Sequence, residues 1–478
     1  MSKKNKNKII VDFSNATSSE GVTGSLYYID TTMNKILLDC GMTQSNNVWN
    51  DYLANKRKFN FKVKMLDFIF ISHLHADHIG LLPRLYSEGC NAKIIIAKGG
   101  KRFLKDMLED VAYINGRDAE LFSKQKGREY LPIYTKEDVA NCLNHVIEYD
   151  FNEKVTLNEN LQFELIRAGH VAHSAQIVLW ITEGNQTKKI LYTGDLGNPL
   201  LPKNYTLPID YVNKANLVIG ECTYSNPNKP KANEKMRKKD LEKIHDVILD
   251  TCFRKHGRVL IPTFAFDRSV EMLTELYNMF GEDEKFNIPV VLDSPLMLKH
   301  FKNYFNTLDE ERVEKLKKVF TWKNIVQIED YSESMTWAES MRPMVILASS
   351  GMLMAGHVKN FLPHVIKDYD STILFVGYLV EGTLGYKIKY SKGDRKIKID
   401  GALVPNNCSI VALNSFSSHM QYEELINYYS NIIADKLVLV HGNMQDRITF
   451  AETLKEACSN KCKTTKILIG NSSMKIHL

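Results

Sequence analysis

The chain has 478 residues, of which 44% are hydrophobic and 25% are charged, and its formal net charge is +6. This length exceeds one ordinary hydrophobic core and predicts two domains, or one large split domain, with the composition of a soluble globular protein. The mild positive charge permits a basic face for a polyanion but does not require one. No apolar run approaches the ~20 residues of a membrane span, and no apolar segment follows the lysine-rich N-terminus, which excludes a membrane partner and a signal peptide.

The eight cysteines are scattered along the chain, and no Cys-x-x-Cys pair occurs among them. Without paired spacing, neither a disulfide framework nor a structural zinc site built on cysteines is indicated. Reduced thiols fit a cytoplasmic protein best.

The first predicted elements are the two strands of a hairpin, residues 24–30 and 35–41, and the second strand ends at Asp39. The sequence Asp39-Cys40-Gly41 fits an ordinary strand-end turn. If a metal binds nearby, Asp39 becomes a candidate carboxylate that orients one of the metal ligands. Both interpretations are open at this point.

The next strand, residues 68–71, is short and apolar and leads into a cluster of polar side chains before a predicted helix over residues 80–85. The cluster has four members in six positions: His73, His75, Asp77 and His78. Such side chains are expensive to bury unless something binds them, and imidazole and carboxylate are ordinary ligands of divalent metals. The alternative is a set of capping and surface histidines, with Asp77 as a helix N-cap.

Two later turns also carry candidate ligands. His170 lies between two apolar strands, with His173 three residues later, and Asp195 follows a further strand directly after Gly194. Neighbouring strands of a layered fold end at a common edge, so ligands at those ends can belong to one site. We therefore predict that these residues join the 73–78 cluster.

Residues 213–400 have a different pattern, in which strands alternate with helices, and the first of these strands ends in Glu221. The alternation predicts βαβ units and a largely parallel sheet. Helices predicted after Asp267 and Ser350 would present free backbone N–H groups that suit phosphate, although any α/β domain has such turns.

Residues 401–478 return to the earlier pattern. One strand is followed by His419 at a predicted helix start, and another ends at His441-Gly442. Strand-end histidines therefore lie on both sides of the central block. The simplest arrangement is one metal-binding domain interrupted by an inserted α/β domain, with the site in the cleft between them.

Taken in order, these motifs resemble the metallo-β-lactamase fold, and the central block resembles the β-CASP insertion of nucleic-acid-processing members such as relatives of the mRNA 3′-end endonuclease. The matching segments run nearly from end to end of the chain: His73-x-His75-x-Asp77-His78, His170, Tyr192-Thr193-Gly194-Asp195, Glu221-Cys222-Thr223-Tyr224, Ile261-Pro262-Thr263-Phe264-Ala265, Ala348-Ser349-Ser350-Gly351-Met352, Gly377-Tyr378, Gly382-Thr383-Leu384-Gly385, Ser417-Ser418-His419 and Val440-His441-Gly442. The resemblance implies an α/β fold: a metallo-β-lactamase αββα sandwich interrupted by an inserted β-CASP domain with a mainly parallel sheet. The implied domains are a first metallo-β-lactamase part at 1–212, the β-CASP domain at 213–400 and a second metallo-β-lactamase part at 401–478.

The resemblance also implies a site for two zinc ions, with manganese as the alternative metal. One ion would be held by His73, His75 and His170, the other by Asp77, His78 and His441, and Asp195 would bridge them. Two such ions can share a hydroxide that attacks a phosphodiester in line. Asp39 would have a structural role beside the ligands.

The same resemblance implies the catalytic and substrate-binding residues. His419 would protonate the leaving oxygen, and Glu221 would orient the His419 ring and stabilise its charged form. The alternative for His419 is that it only caps a helix. The ligands Asp77 and Asp195 count as catalytic as well. The predicted phosphate contacts are Ser349, Ser350, Gly351, Gly382 and Thr383.

Five positions depart from the family pattern. Family members usually have glycine at 173, serine at 222, arginine at 386, aspartate at 421 and an acidic residue at 443, where this chain has His173, Cys222, Tyr386, Gln421 and Asn443. Two missing carboxylates remove partners of the ligands and would lower metal affinity or turnover. His173 is interpreted as a hydrogen-bonding strand histidine, with a spare metal ligand as the alternative.

The implied function is that of a zinc-dependent ribonuclease that acts on single-stranded RNA as an endonuclease, with 5′ exonuclease activity and a homodimer left open. The alternatives are a weakly active RNA-binding scaffold subunit that retains its metal, and a DNA or small-molecule hydrolase on the same fold. The long insertion argues against a small substrate. No residue can be assigned to a 2′-hydroxyl, so the sequence does not distinguish RNA from DNA.

Overall fold

The computed structural model describes residues 8–201, 203, 205–377, 379–391, 396–399, 401–461 and 463–478. Tyr378 of the Gly377-Tyr378 motif and Asp400 at a predicted domain boundary lie outside these ranges. The chain forms two compact units: unit 1 contains Met1–Pro202, Thr206–Lys229 and Ser418–Leu478, and unit 2 contains Lys203–Tyr205 and Pro230–Ser417. The limits of the three sequence-derived domains stay predictions.

Unit 1 is built on two seven-stranded sheets. The strands of the first sheet are β1 (Ile10–Asp12), β2 (Tyr27–Asp30), β3 (Lys35–Leu38), β4 (Phe68–Phe70), β5 (Lys93–Ala97), β6 (Val146–Tyr149) and β22 (Lys475–His477). Their order is β22-β1-β2-β3-β4-β5-β6. The hairpin expected from the sequence is formed by β2 and β3, which pair antiparallel with Ile29 opposite Ile36.

The second sheet of unit 1 contains strands that are far apart in the chain. They are β7 (Val155–Asn158), β8 (Leu161–Arg167), β9 (Ala175–Glu183), β10 (Gln186–Tyr192), β11 (Lys214–Glu221), β20 (Ile433–Val440) and β21 (Lys466–Ile469), in the order β21-β20-β11-β10-β9-β8-β7. β11 pairs in parallel with both β10 and β20, and Glu221 lies opposite Val440. The ends of these three strands therefore lie at the same edge of the sheet.

The main apolar core of unit 1 lies between its two sheets, where side chains of both form one buried cluster that includes Phe70, Phe163 and Ile219. Helices cover the outer faces: α1 (Val48–Asn55), α2 (Ala76–Ile79), α3 (Leu82–Ser87), α4 (Gly100–Lys126), α5 (Lys136–Leu143), α13 (Tyr422–Asn431) and α14 (Met444–Asn460). Leu425 of α13 and Phe450 of α14 pack on the second sheet, and α4 contacts β5 and β6 of the first. The predicted αββα sandwich is confirmed.

Unit 2 contains a six-stranded sheet in which every pairing is parallel. Its strands are β12 (Arg258–Pro262), β13 (Val290–Asp293), β14 (Ile325–Ile328), β15 (Met344–Ala348), β16 (Thr372–Phe375) and β19 (Ser409–Ala412), in the order β14-β13-β15-β12-β16-β19. All five residues of β15 are buried, as expected of a strand that is covered on both faces. The predicted inserted α/β domain with a parallel sheet is confirmed, and a small antiparallel pair, β17 (Lys396–Ile399) and β18 (Ala402–Pro405), accompanies it.

The helices of unit 2 are α6 (Glu234–Ile248), α7 (Arg268–Phe280), α8 (Pro295–Thr307), α9 (Glu310–Phe320), α10 (Tyr331–Glu339), α11 (Val358–Val365) and α12 (Leu384–Lys389). As predicted, α7 begins directly after Asp267. The prediction of a helix start at Ser350 is wrong, because α11 begins only at Val358. In between, the chain turns back on itself: the Ser350 N–H donates to Ala355 O and the Val358 N–H donates to Ser349 O, which uses the backbone groups that a helix start would leave free.

Among the described residues, no helix is both long and apolar enough to cross a lipid bilayer. The long helix α4 is amphipathic instead, with Phe103, Leu104 and Leu108 buried.

We expect Ile219→Ala in β11 to lower the thermal unfolding midpoint clearly, because Ile219 is 0% exposed in the core between the sheets. Large-to-small changes at such sites cost about 2–5 kcal/mol. Ile433→Ala is the matched control, since Ile433 lies on neighbouring β20 and is 56% exposed. Equal shifts for both variants, measured by circular dichroism during heating, would contradict this assignment of the core.

Candidate metal centre

The candidate metal centre lies in unit 1, at the edge where several strands end. His73 and His75 follow β4, His170 follows β8, Asp195 follows β10 and His441 follows β20. These ligands are widely separated in the chain, and the parallel pairing of β10, β11 and β20 places the ends of two ligand-bearing strands, β10 and β20, on either side of the end of β11. The edge of the sheet is therefore what assembles the site.

Seven side chains meet there in two groups. The first group contains His73, His75, His170 and Asp195, and the second contains Asp77, His78 and His441. Within each group, one candidate ligand atom from every residue lies within 4.8 Å of the others. All seven side chains that the sequence nominated as metal ligands are thus close together, and the division between two ions stays a prediction.

Asp195 lies between the two groups, with one carboxylate oxygen toward each. Its Oδ2 is 3.6 Å from His73 Nε2 and 3.8 Å from His170 Nε2. Its Oδ1 is 3.4 Å from His78 Nε2 and 3.6 Å from His441 Nδ1. One buried carboxylate therefore faces imidazole nitrogens of both groups.

Asp39 is a buried carboxylate behind the ligands, and it accepts hydrogen bonds from several directions. Oδ2 accepts from the Ser72 hydroxyl, the Tyr192 hydroxyl and His78 Nδ1, each at 2.6 Å, and Oδ1 accepts from the Ser72 N–H at 2.7 Å. Because Nδ1 of His78 is held by Asp39, Nε2 is the nitrogen that faces Asp77 and Asp195. This arrangement fixes the tautomer and the orientation of a metal-binding histidine.

The backbone at the site is held in an uncommon conformation. Asp39 has a φ of 57° and His441 a φ of 53°, a left-handed region that residues other than glycine rarely adopt. Such strain persists where the surrounding structure over-determines it, and it clusters at functional sites. Gly41 is required for a different reason, because a Cβ on it would lie 1.6 Å from the carbonyl oxygen of Asp77.

The charges at the site favour a bound cation. Burial lowers the pKa of His78, but the carboxylates of Asp195, Asp77 and Asp39 outweigh it and raise that pKa to about 10. Burial, with the neighbouring imidazoles, holds the pKa of His73 well below its usual value. The carboxylates thus attract positive charge, and because a metal-binding imidazole must be neutral, a bound metal ion would replace the proton of His78.

Two buried atoms at the centre of the site have no hydrogen-bond partner in the described part of the chain: His78 Nε2 and Asp195 Oδ1. The large majority of buried polar side-chain atoms in proteins are paired, so two unpaired atoms at one site need an explanation. Imidazole nitrogen and carboxylate oxygen are the donor atoms of divalent metal sites. The side chains present therefore fit a divalent metal centre.

His419 and Glu221 form a pair beside this centre. Nδ1 of His419 lies 3.3 Å from Oε1 of Glu221 and 4.0 Å from Oδ2 of Asp195. Glu221 also accepts from the N–H groups of Leu196 and Thr223, which fix its position. Burial raises the pKa of Glu221, but the hydrogen bond and charge of His419 outweigh it and lower that pKa below its usual value.

The structure gives three of the departing positions a local role. His173 lies in a turn rather than in a strand, contacts Phe103 and packs closely against Gly99, outside both ligand groups. Gln421 donates to the carbonyl oxygen of His419, and Asn443 caps α14. His419 itself precedes α13 and is not its N-cap, which is Gln421.

The predicted substrate contacts lie in unit 2, on two turns that touch each other. Ser349, Ser350 and Gly351 follow β15, and Thr383 caps α12 directly after Gly382. The Leu384 N–H lies 3.4 Å from Met354 Sδ, and the Gly385 N–H donates to Met352 O. The two turns are therefore one surface, and their contact with substrate stays a prediction.

Sequence reasoning missed two hydroxyl groups that hold the site. The Ser72 hydroxyl bonds Asp39, and the Thr223 hydroxyl lies 2.9 Å from His441 Nδ1. Ser72 directly precedes His73, and Thr223 belongs to the segment Glu221-Cys222-Thr223-Tyr224, but no role was predicted for either hydroxyl.

Three family models match the sequence. Residues 20–212 match the metallo-beta-lactamase superfamily, residues 269–388 match the Beta-Casp domain, and residues 403–464 match the Zn-dependent metallo-hydrolase RNA specificity domain.

Similar proteins are found among curated sequences and solved structures. The chain is 29% identical to ribonuclease TTHA0252 of Thermus thermophilus, over 91% of this chain and 93% of that protein. It is 27% identical to transcription termination factor FttA of Methanocaldococcus jannaschii, over 90% of this chain and 67% of that protein. Its fold is similar to that of a protein of unknown function from Enterococcus faecalis V583, with a TM-score of 0.53 and 13% identity over 98% of this chain and 100% of that one.

We expect Asp39→Asn to weaken binding of a divalent ion by about 10–100-fold, the usual effect of removing a partner of a metal ligand. An amide would turn N–H groups toward the donors of Ser72, Tyr192 and His78. Competition with a coloured chelator measures the affinity. Asp435→Asn on the exposed part of β20 is the control, and equal affinities of the two variants would contradict the role of Asp39.

Proposed function

We propose that this chain, which belongs to the β-CASP family of metallo-β-lactamase-fold hydrolases, is a ribonuclease that cleaves phosphodiester bonds of single-stranded RNA. The observation that carries the proposal is Asp195, whose two oxygens face two separate groups of buried and half-buried ligands. An arrangement of this kind suits two metal ions that act on one phosphate. Zinc is the proposed metal, because imidazole nitrogens dominate both groups.

Each of the two groups of side chains is the proposed binding site of one metal ion. His73, His75 and His170 would hold one ion and Asp77, His78 and His441 the other, with Asp195 shared. Such ions supply an acidified water at neutral pH and neutralise charge on the phosphate oxygens. Asp39 would keep His78 in place through the hydrogen bond to Nδ1.

His419 is the proposed general acid. The departing ribose oxygen is a poor leaving group until it is protonated, and a positioned acid is typically worth ~10²–10⁴ in rate. The His419 side chain is 21% exposed, so substrate can reach it, and Glu221 behind it is 1% exposed. Glu221 would orient the ring and stabilise its protonated form.

The names of relatives support RNA as the substrate, since one is called a ribonuclease and a matched family model is called an RNA specificity domain. The proposed phosphate contacts are the turns at Ser349–Gly351 and Gly382–Thr383 in unit 2. The proposed cleavage is endonucleolytic, with 5′ exonuclease activity as the second mode.

The proposal is tested by incubating the purified protein with RNA labelled at the 5′ or 3′ end, and with DNA of the same sequence, in the presence of zinc or manganese. We expect internal fragments from RNA and none from DNA. Release of labelled mononucleotides from the 5′ end alone would indicate the exonuclease mode. Intact RNA that is nonetheless bound would favour a scaffold protein and contradict the proposal.

We expect elemental analysis of zinc-loaded protein to find two ions per chain, because seven ligands exceed what one tetrahedral zinc ion uses. Asp195→Ala should retain one ion at most, since it removes the ligand that both groups share. Asp435→Ala is the matched control and should keep two. A fully loaded protein with a single ion held by four of these residues would contradict the two-ion site.

We expect His419→Ala to keep both ions and RNA binding while lowering turnover at saturating substrate by ~10²–10⁴. Glu221→Gln should cause a smaller loss of the same kind. His477→Ala, at an exposed position of unit 1, should cleave at the parental rate. Parental turnover of His419→Ala would show that the proton comes from another group.

A further inference from the structure

The parallel sheet of unit 2 has a topological switch point between β13 and β15. These strands are neighbours, but β13 continues through α8 and α9 to β14 on one side, whereas β15 continues through α11 to β16 on the other. Right-handed crossovers in opposite directions place their helices on opposite faces of the sheet. The loops that follow β13 and β15 therefore diverge, and ligands of open α/β sheets bind in the crevice so formed.

A carboxylate and an imidazole are paired at this switch point. Asp293, the last residue of β13, lies with Oδ1 2.6 Å from Nδ1 of His357, which directly precedes α11. The other oxygen of Asp293 accepts from the Ser334 hydroxyl, which in turn accepts from the Asn360 amide at 2.7 Å. The carboxylate is 0% exposed and the imidazole 26% exposed, so a buried network presents one accessible ring.

Hydroxyl groups lie beside the pair. Ser349 Oγ and Ser294 Oγ are 3.0 Å apart, which links the loop after β15 to the loop after β13. The Val358 N–H donates to Ser349 O, so His357 and Ser349 are held next to each other. An imidazole and two hydroxyl groups thus lie together at the ends of β13 and β15.

A role in capping α11 does not account for the position of the His357 side chain. His357 occupies the N-cap position of α11, but its side chain makes no capping hydrogen bond. With Nδ1 bound to Asp293, the ring presents Nε2, and no other described residue hydrogen-bonds this ring. The hydrogen bond to Asp293 raises the pKa of His357, and Tyr331 of α10 is the other ring that faces it. A protonated imidazole beside hydroxyl donors has the chemistry of a phosphate-binding group.

We propose that His357, held by Asp293 and accompanied by Ser349, binds a backbone phosphate of the nucleic acid at the switch point of unit 2. This inference rests on the proposed function and deepens it, because it adds a cationic contact to the predicted hydroxyl and backbone contacts. Asp293 is a positioning residue in this subsite.

The test measures binding of a labelled single-stranded RNA by fluorescence anisotropy over a series of potassium chloride concentrations. All proteins carry His419→Ala, which is expected to slow cleavage of the RNA during the measurement. His357→Asn is the central variant, since its amide can keep the hydrogen bond to Asp293 while the charge and Nε2 are lost. His364→Asn, near the end of α11, is the matched control. His357→Arg restores a positive charge at position 357.

We expect His357→Asn to weaken binding roughly tenfold, as loss of a charge-assisted hydrogen bond does. The slope of log affinity against log salt should become shallower by about 0.7, the value for one phosphate of a single strand. His357→Arg should keep the parental slope, and His364→Asn should keep both slope and affinity. If His357→Asn does not reach the parental melting temperature, His357→Gln replaces it.

A slope and affinity of His357→Asn equal to those of His364→Asn would overturn the subsite. Weaker binding with an unchanged slope would overturn it as well, because the lost contact would not be ionic. Cleavage assays on proteins with His419 intact separate the two proposals. A chain that binds RNA through His357 without cleaving it refutes the ribonuclease, whereas a chain that cleaves RNA without any effect of His357 refutes only the subsite.

Discussion

The position of the Asp195 carboxylate is the constraint on which the candidate site depends. Its two oxygens lie 3.4–3.8 Å from imidazole nitrogens on both sides, so the site has one centre rather than two independent clusters. Three carboxylates in a buried region would destabilise the fold if their charge were not balanced. These carboxylates outweigh the effect of burial and raise the pKa of His78 to about 10. A divalent ion would balance the charge of the carboxylates and would also bind the ligand atoms that have no hydrogen-bond partner.

The residues around the site hold its side chains in fixed positions. Asp39 receives four hydrogen bonds and holds His78, while the backbone N–H groups of Leu196 and Thr223 hold Glu221. The left-handed φ angles of Asp39 and His441 are tolerated because neighbouring elements over-determine them. The departures at Gln421 and Asn443 are compatible with this scaffold, since one supports the backbone of His419 and the other caps a helix.

Unit 2 uses a different principle to create a surface for ligands. Its parallel sheet has no metal-ligand group among the described residues, but its connections diverge at β13 and β15. Serines and a glycine follow these strands, and with the Asp293–His357 pair they offer hydroxyl, backbone and imidazole donors. A polyanion is the ligand class that such donors suit.

The amino-acid sequence by itself predicted an inserted α/β domain with a parallel sheet and placed candidate ligands at strand ends, because buried strands are apolar runs and polar side chains at their ends are costly without a metal. The αββα sandwich and the assignment of seven ligands came from the resemblance to the β-CASP family. Asp39 was open between a turn and a supporting carboxylate, and only the tertiary structure showed its bonds to Ser72, Tyr192 and His78. The same holds for the start of α11 and for the Asp293–His357 pair, residues 64 positions apart. Which distant strands become neighbours depends on the packing of whole sheets, and no local pattern contains that information.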